Sequence, residues 1–287
     1  MGPETPCYVE AVTASDHPQQ GPGDAVTETD YAAASRAALV EALTHAGPEQ
    51  PTLCEGWRTE HLAAHIVLRE TSPLAVGLLL PPAAKRLQEK TIALGDAHAD
   101  EAGYARLVER VAAGPLEGSL GQRAQDDGPV DSGAHGTADA SPEAGGRRRS
   151  RGRVAGLVSR AAALLRRTPM GTTVADEVQL LEFFVHTEDV RRAKDRWAPR
   201  ILADDYADTL YTHLKRRAKL LYRSEETGIE LERRARPASR VDNSPVMVKA
   251  PGDDGRSVHV AGPAGELVMH AFGRRTAALV LEDVVDA

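Results

Sequence analysis

The sequence is poor in cysteine, in aromatic residues and in long apolar runs. Its 287 residues include two cysteines, Cys7 and Cys54, and aromatic side chains make up 4%. Two cysteines supply neither a disulfide framework nor a thiolate zinc site, which favours the reducing cytoplasm as the compartment. No apolar run approaches the ~18 residues that a membrane-spanning helix needs. The short run Leu78–Leu80 is stopped by Pro81 and Pro82.

The sequence also lacks a net positive charge and, in its first residues, the pattern of a signal peptide. The formal net charge is −7, which argues against a dedicated nucleic-acid-binding protein. Met1–Asp24 has neither the basic nor the apolar region of a signal peptide. A hydrophobic content of 41% with 27% charged residues is typical of a globular protein, and the length allows one large domain or two smaller ones.

The pattern of apolar residues predicts a mainly α protein with two ordered parts. Residues 1–26 lack periodicity and are expected to form a disordered arm. Residues 27–223 are predicted to form a helical bundle, interrupted by a disordered insertion at 116–153 that is rich in Gly, Ser, Asp and Pro. Residues 224–287 change to an alternating pattern, which indicates a small α+β C-terminal domain.

Apolar spacing and Gly or Pro stops place the individual elements. The expected helices of the bundle are 28–46, 59–70, 83–94, 100–113, 173–196 and 203–222. The C-terminal domain is expected to contain strands at 228–232, 246–248 and 257–260, a helix at 264–272 and a closing strand at 277–281.

A basic run, Arg147–Arg153, ends the insertion and leads into the amphipathic segment Val154–Arg167. A solvated linker is the favoured interpretation, since charge runs are usually exposed to water. Contact with nucleic acid or with an anionic surface is the alternative.

Glu182 and His186 are four residues apart on a predicted helix, so they lie one above the other on the same face. A carboxylate and an imidazole in this arrangement can chelate a divalent metal. The pair lies at the edge of an apolar stripe formed by Val174, Val178, Leu181 and Val185. The alternative is an ordinary helix with a salt bridge at its rim.

A catalytic metal site needs a third protein ligand and an open position. His65 is the best candidate because it lies in the middle of a different predicted helix, between Leu62 and Ile66. His61, one turn earlier, could join it. The alternative for His65 is a hydrogen-bonded core histidine.

Two motifs resemble signatures of the mycothiol-dependent maleylpyruvate isomerase family. Cys54–His65 is similar to its "GW-x-x-x-x-L-x-x-H" signature, and Glu182–Asp189 to its "E-x-x-x-H-x-x-D" signature. Gly262–Leu267 and Phe272–Arg274 are similar to its C-terminal domain. The resemblance covers about residues 28–115 and 170–285 and is closest to an uncharacterised actinobacterial metal-binding branch.

The resemblance implies a DinB-like four-helix metal-binding bundle followed by the C-terminal domain. It implies His65, Glu182 and His186 as ligands, usually of zinc, and mycothiol as the thiol that the metal activates. Asp189 is expected to accept a hydrogen bond behind a ligand or to support a guanidinium. Arg274 matches the region from which the isomerase supplies an arginine for anionic substrate.

The function expected from the resemblance is that of a zinc-dependent thiol transferase or isomerase. Its partners would be a small-molecule thiol and an electrophilic substrate, and the chain would act as a monomer or a homodimer. The alternative is a non-catalytic metal-binding sensor or interaction module. Trp57 is assigned to packing at a loop-to-helix corner, and Cys54 is expected to be a small buried residue rather than a nucleophile.

Overall fold

The protein is represented by a computed structural model that describes residues 28–71, 81–115, 169–235, 239–252 and 255–286. Its helices are α1 Glu28–Ala46, α2 Thr59–Thr71, α3 Pro81–Asp96, α4 Glu101–Ala113, α5 Pro169–Arg191, α6 Asp204–Leu221 and α7 Ala264–Ala271. Its strands are β1 Gly228–Arg233, β2 Val246–Lys249, β3 Arg256–Gly262 and β4 Leu281–Asp286. The predicted arm, the insertion and the basic run lie outside the described residues.

Helices α1, α2, α4 and α5 share one apolar core and form a four-helix bundle. Each contributes side chains at helical spacing, because residues three and four apart lie on the same face. The members of this core include Leu39, Leu43, Leu62, Ile66, Leu107, Val111, Phe183 and Val190. The prediction of a mainly α chain with a four-helix bundle is confirmed.

A second core lies between helix α5, helix α6 and the C-terminal part of the chain. The sheet has the order β2-β1-β3-β4, in which β1 and β3 are parallel and the outer strands are antiparallel to their neighbours. Helices α6 and α7 bury their apolar side chains in the same cluster as Ile229, Leu231 and Val260 of this sheet. Because Leu181 and Val185 of α5 join this cluster, α5 packs against both cores.

The elements expected from the sequence are present, and several of their boundaries differ by a few residues. Helix α5 ends at Arg191 rather than near 196. The closing strand predicted at 277–281 is wrong, because Arg275–Ala277 form a 3-10 turn and the strand begins at Leu281. The carbonyl of Ala277 and the amide of Leu279 bond to buried side chains of other elements, so they do not pair in the sheet. Among the described residues, no helix is long and apolar enough to cross a membrane.

Helices α5 and α7 approach closely at Gly265. A Cβ atom added there would lie 2.7 Å from Cζ of Phe184, a ring that is 2% exposed. Gly265→Ala is therefore expected to lower the free energy of unfolding by about 1–3 kcal/mol, measured by urea denaturation. Adding Phe184→Leu should recover part of the loss, whereas an unchanged midpoint in Gly265→Ala alone would contradict this close approach.

Candidate metal centre

The loop between α1 and α2, which carries Cys54 and Trp57, is bonded to the end of helix α5. The backbone amide of Leu53 donates to the carbonyl of Asp189 at 3.0 Å, which fastens the loop to α5. Trp57 then closes a tight turn by donating its amide to the carbonyl of Cys54 at 2.9 Å. Gly56 has a φ of 73°, which glycine adopts at little cost, and this explains glycine at that position.

His65 of α2 faces His186 of α5 across the bundle. The ring centroids are 5.3 Å apart in an edge-to-face arrangement. The ring of Trp57 lies against His65 on another side, with centroids 4.9 Å apart. Burial, followed by the neighbouring His186, lowers the pKa of His65 well below its usual value. His65 is therefore a neutral imidazole, the form that a metal ligand requires.

Glu182 lies one turn before His186 on α5, on the same face. Its carboxylate forms an ion pair with Arg69, which lies one turn after His65 on α2. The two side chains are 18% and 20% exposed, respectively. The four side chains therefore form two facing pairs, His65 with His186 and Arg69 with Glu182, one helical turn apart along the bundle.

Asp189 hydrogen-bonds to the ring of His186 and to the guanidinium of Arg274. Its Oδ2 atom lies 2.9 Å from Nδ1 of His186, and its carboxylate accepts two bonds of 2.8 Å from the guanidinium of Arg274. Asp189 is completely buried. Although burial raises its pKa, the bonds from His186 and Arg274 outweigh that effect and lower the pKa to about 2. Asp189 is thus an anion that fixes both the histidine ring and the arginine.

Cys54 belongs to the same network. Its Sγ atom lies 3.2 Å from Oδ2 of Asp189 and 3.2 Å from Nη2 of Arg274. Burial, together with the negative charge of Asp189, raises the pKa of the thiol to about 12. A thiol that stays protonated is a poor nucleophile, so its role here is to donate a hydrogen bond to the carboxylate.

The described residues contain one group of three side chains whose potential ligand atoms lie close enough together to hold a metal ion. These are Cys54, His186 and Asp189, with all three ligand atoms within 4.8 Å of one another. Cys54 was not among the ligands expected from the sequence. Its position two residues before the Gly-Trp pair was the available signal, but a sequence does not tell which atoms it faces.

His61 is turned away from this centre. Its Nδ1 atom accepts the backbone amide of Arg58 at 3.0 Å, and its Nε2 atom lies 3.0 Å from Oδ1 of Asp96. Both ring nitrogens of His61 are thus engaged at the start of α2. In this structure His61 does not join His65 and His186.

The C-terminal part of the chain reaches the centre through Arg274. This residue follows α7, and α7 is held against α5 by the buried pair of Arg192 and Glu266. An open depression of about 710 Å³ lies beside the centre, lined by the loop between α1 and α2 and including Cys54 and Trp57.

Comparison with curated proteins and with solved structures finds distant similarity alone. No curated protein matches the chain significantly. Two solved structures share distant similarity, and each match covers 89% of this chain and 91% of the other. One is the mycothiol-dependent maleylpyruvate isomerase, at 16% identity and a TM-score of 0.45. The other is a histidine-to-alanine mutant of the same enzyme, at 15% and 0.44. These similarities are too distant to carry an argument about function.

A protein-family model matches the N-terminal part of the sequence. The model described as the mycothiol maleylpyruvate isomerase N-terminal domain matches residues 30–191, which is more than half of the chain. The match contains both motifs and every side chain of the centre except Arg274. The chain therefore belongs to the mycothiol maleylpyruvate isomerase N-terminal domain family.

Proposed function

We propose that the protein binds a divalent metal, zinc in the first instance, through His65, Glu182 and His186. We further propose that it is a thiol transferase or isomerase that uses mycothiol as co-substrate. The observation that carries the proposal is the facing pair of histidines, one of them fixed from behind by Asp189. Two imidazoles and one carboxylate are a usual ligand set for zinc in catalytic sites.

The opposite side of His186 offers a different ligand set, which we consider less suitable. There Cys54 and Asp189 already hydrogen-bond to each other, and the guanidinium of Arg274 contacts both of them. A divalent cation in that position would face a fixed positive charge at short range. Because Asp189 bonds to Nδ1 of His186, the lone pair on Nε2 of that ring is available for a metal on the side of His65.

The charges of the centre support an anionic co-substrate. Two positive side chains, Arg69 and Arg274, are paired with two negative ones, Glu182 and Asp189. A divalent ion would add two positive charges to a balanced and partly buried group, and buried charge requires compensation. A thiolate together with the carboxylate of a substrate would supply that compensation.

The residues have distinct roles in this proposal. His65, Glu182 and His186 would hold the zinc ion, which would supply activation of a thiol by lowering its pKa. Asp189 orients His186 and keeps its proton on Nδ1. Trp57 limits the rotation of His65. Arg274 places a fixed positive charge beside the centre for an anionic substrate.

The test is a turnover assay on purified protein, zinc-loaded or stripped of metal by a chelator. Mycothiol consumption is measured with maleylpyruvate and with a panel of haloarenes, and we expect turnover only in the zinc-loaded sample. Arg223→Gln serves as a control, because the side chain of Arg223 is exposed and bonds to the carbonyl of Leu220 at the end of α6. Full zinc occupancy without thiol turnover would contradict the proposed enzymatic activity and favour a non-catalytic metal-binding protein.

The remaining parts of the proposal follow from the sequence. We place the protein in the cytoplasm, since a mycothiol-dependent reaction and free thiols need a reducing compartment. We divide it into a bundle of residues 27–223 and a C-terminal domain of residues 224–287. We expect it to act on a small-molecule electrophile, as a monomer or a homodimer.

A further inference from the structure

Arg69 forms an ion pair with Glu182, one of the proposed metal ligands. Its Nη2 atom bonds to Oε1 of Glu182, so the carboxylate that would bind a metal is already paired with a cation of the protein. Arg69 also lies on the same helix as His65, one turn away, so it is adjacent to two of the three proposed ligands.

A guanidinium and a divalent ion cannot share this carboxylate without cost. Both are cations, and at contact distance in a partly buried site their repulsion is larger than in water. Metal binding would also have to break a charge-assisted hydrogen bond, which is among the stronger kinds. Arg69 is 20% exposed, so its long side chain can turn towards solvent when it leaves Glu182.

We propose that Arg69 is an internal counterion that metal binding displaces from Glu182. The inference rests on the proposed function, in that Glu182 is taken to be a metal ligand. In the metal-free protein Arg69 neutralises Glu182 and holds α2 against α5. In the metal-bound protein its guanidinium is released at the rim of the centre. Arg69 therefore stabilises the metal-free state and lowers the affinity for metal.

The experiment measures the zinc affinity of the full-length chain by competition with a chromophoric chelator. Arg69→Leu removes the competing cation and adds no ligand atom, so zinc should bind at least about tenfold more tightly than to wild type. Arg69→Lys keeps the charge and should remain within about threefold of wild type. The melting temperature of the metal-free form should fall in Arg69→Leu, and the increase on adding zinc should be larger than in wild type.

Arg36→Leu is the matched control. Arg36 forms a comparable part-buried ion pair with Glu70, and its other partners are the carbonyl of Val111 and the ring of Phe183. This variant should lose stability like Arg69→Leu but leave zinc affinity unchanged. An equal gain in affinity in Arg36→Leu would show that loosening of the bundle causes the effect, which would overturn the inference.

The outcomes separate this inference from the proposed function. If wild type binds zinc and Arg69→Leu binds it equally or more weakly, Arg69 does not compete with the metal. The inference then fails while the metal site stands. If neither protein binds zinc above the level of His65→Ala, the proposed function fails, and the inference falls with it.

Discussion

His186→Ala is expected to weaken zinc binding by a factor of roughly 10² to 10³, because His186 is a proposed ligand that contacts both His65 and Asp189. It faces His65 at 5.3 Å between ring centroids and is held by Asp189 at 2.9 Å. Apparent binding free energies of zinc sites are on the order of 10 kcal/mol, so losing one of three ligands removes about a third of that. Competition titration and elemental analysis of the purified protein measure the loss.

Two further substitutions decide which ligand set is used. With His65, Glu182 and His186 as ligands, His65→Ala should lose zinc almost as completely as His186→Ala, and Cys54→Ala should keep it. The reverse result would assign the metal to Cys54, His186 and Asp189, whose ligand atoms lie within 4.8 Å of one another. His61→Ala is the control, since both of its ring nitrogens are engaged by Arg58 and Asp96.

Much of the fold could be predicted because it depends on local pattern. Helix α1 begins and ends where apolar spacing and the Gly47-Pro48 stop predict. The closing strand was misplaced for a non-local reason. Residues 277–279 look apolar in sequence, yet their backbone bonds to Arg192, which directly follows α5, and to Glu266 of α7. A sequence pattern predicts a strand from its side chains and does not show which distant groups bind its backbone.

The candidate site could also be predicted only in part from the sequence. Spacing on one helix was enough to predict that Glu182 and His186 share a face, and the Gly-Trp motif singled out His65. The partners of these residues could not be predicted. Cys54 contacts a residue 135 positions away, and Arg69 contacts one 113 positions away. Such contacts depend on how the helices pack, and helix packing leaves no fixed spacing in the sequence.

The largest expected loss of stability comes from the buried ion pair between α5 and α7. Arg192 is 3% exposed and Glu266 is 4% exposed, and two bonds of 2.8 and 2.7 Å join them. Arg192 also donates to Glu188 at 2.6 Å. Arg192→Leu leaves Glu266 buried without its cation, and breaking a buried pair costs about 3–5 kcal/mol. Urea denaturation should therefore show a free energy of unfolding reduced by that amount.

Arg58→Leu provides the comparison, because Arg58 and Glu49 form an exposed pair with side chains 55% and 62% exposed. Its loss should change stability by less than about 1 kcal/mol. If Arg192→Leu is no more destabilising than Arg58→Leu, the buried pair does not hold α7 in place.

The double variant Arg192→Leu/Glu266→Leu shows whether the cost comes from an unpaired charge or from lost anchoring. Removing both charges leaves no buried ion uncompensated, so the double variant should be more stable than Arg192→Leu alone. Its zinc affinity is the second readout, since α7 is followed by Arg274, which binds Asp189 behind His186. If stability recovers while zinc affinity stays low, the ion pair acts by positioning Arg274. If both recover, apolar packing against α5 suffices to hold α7 and the centre.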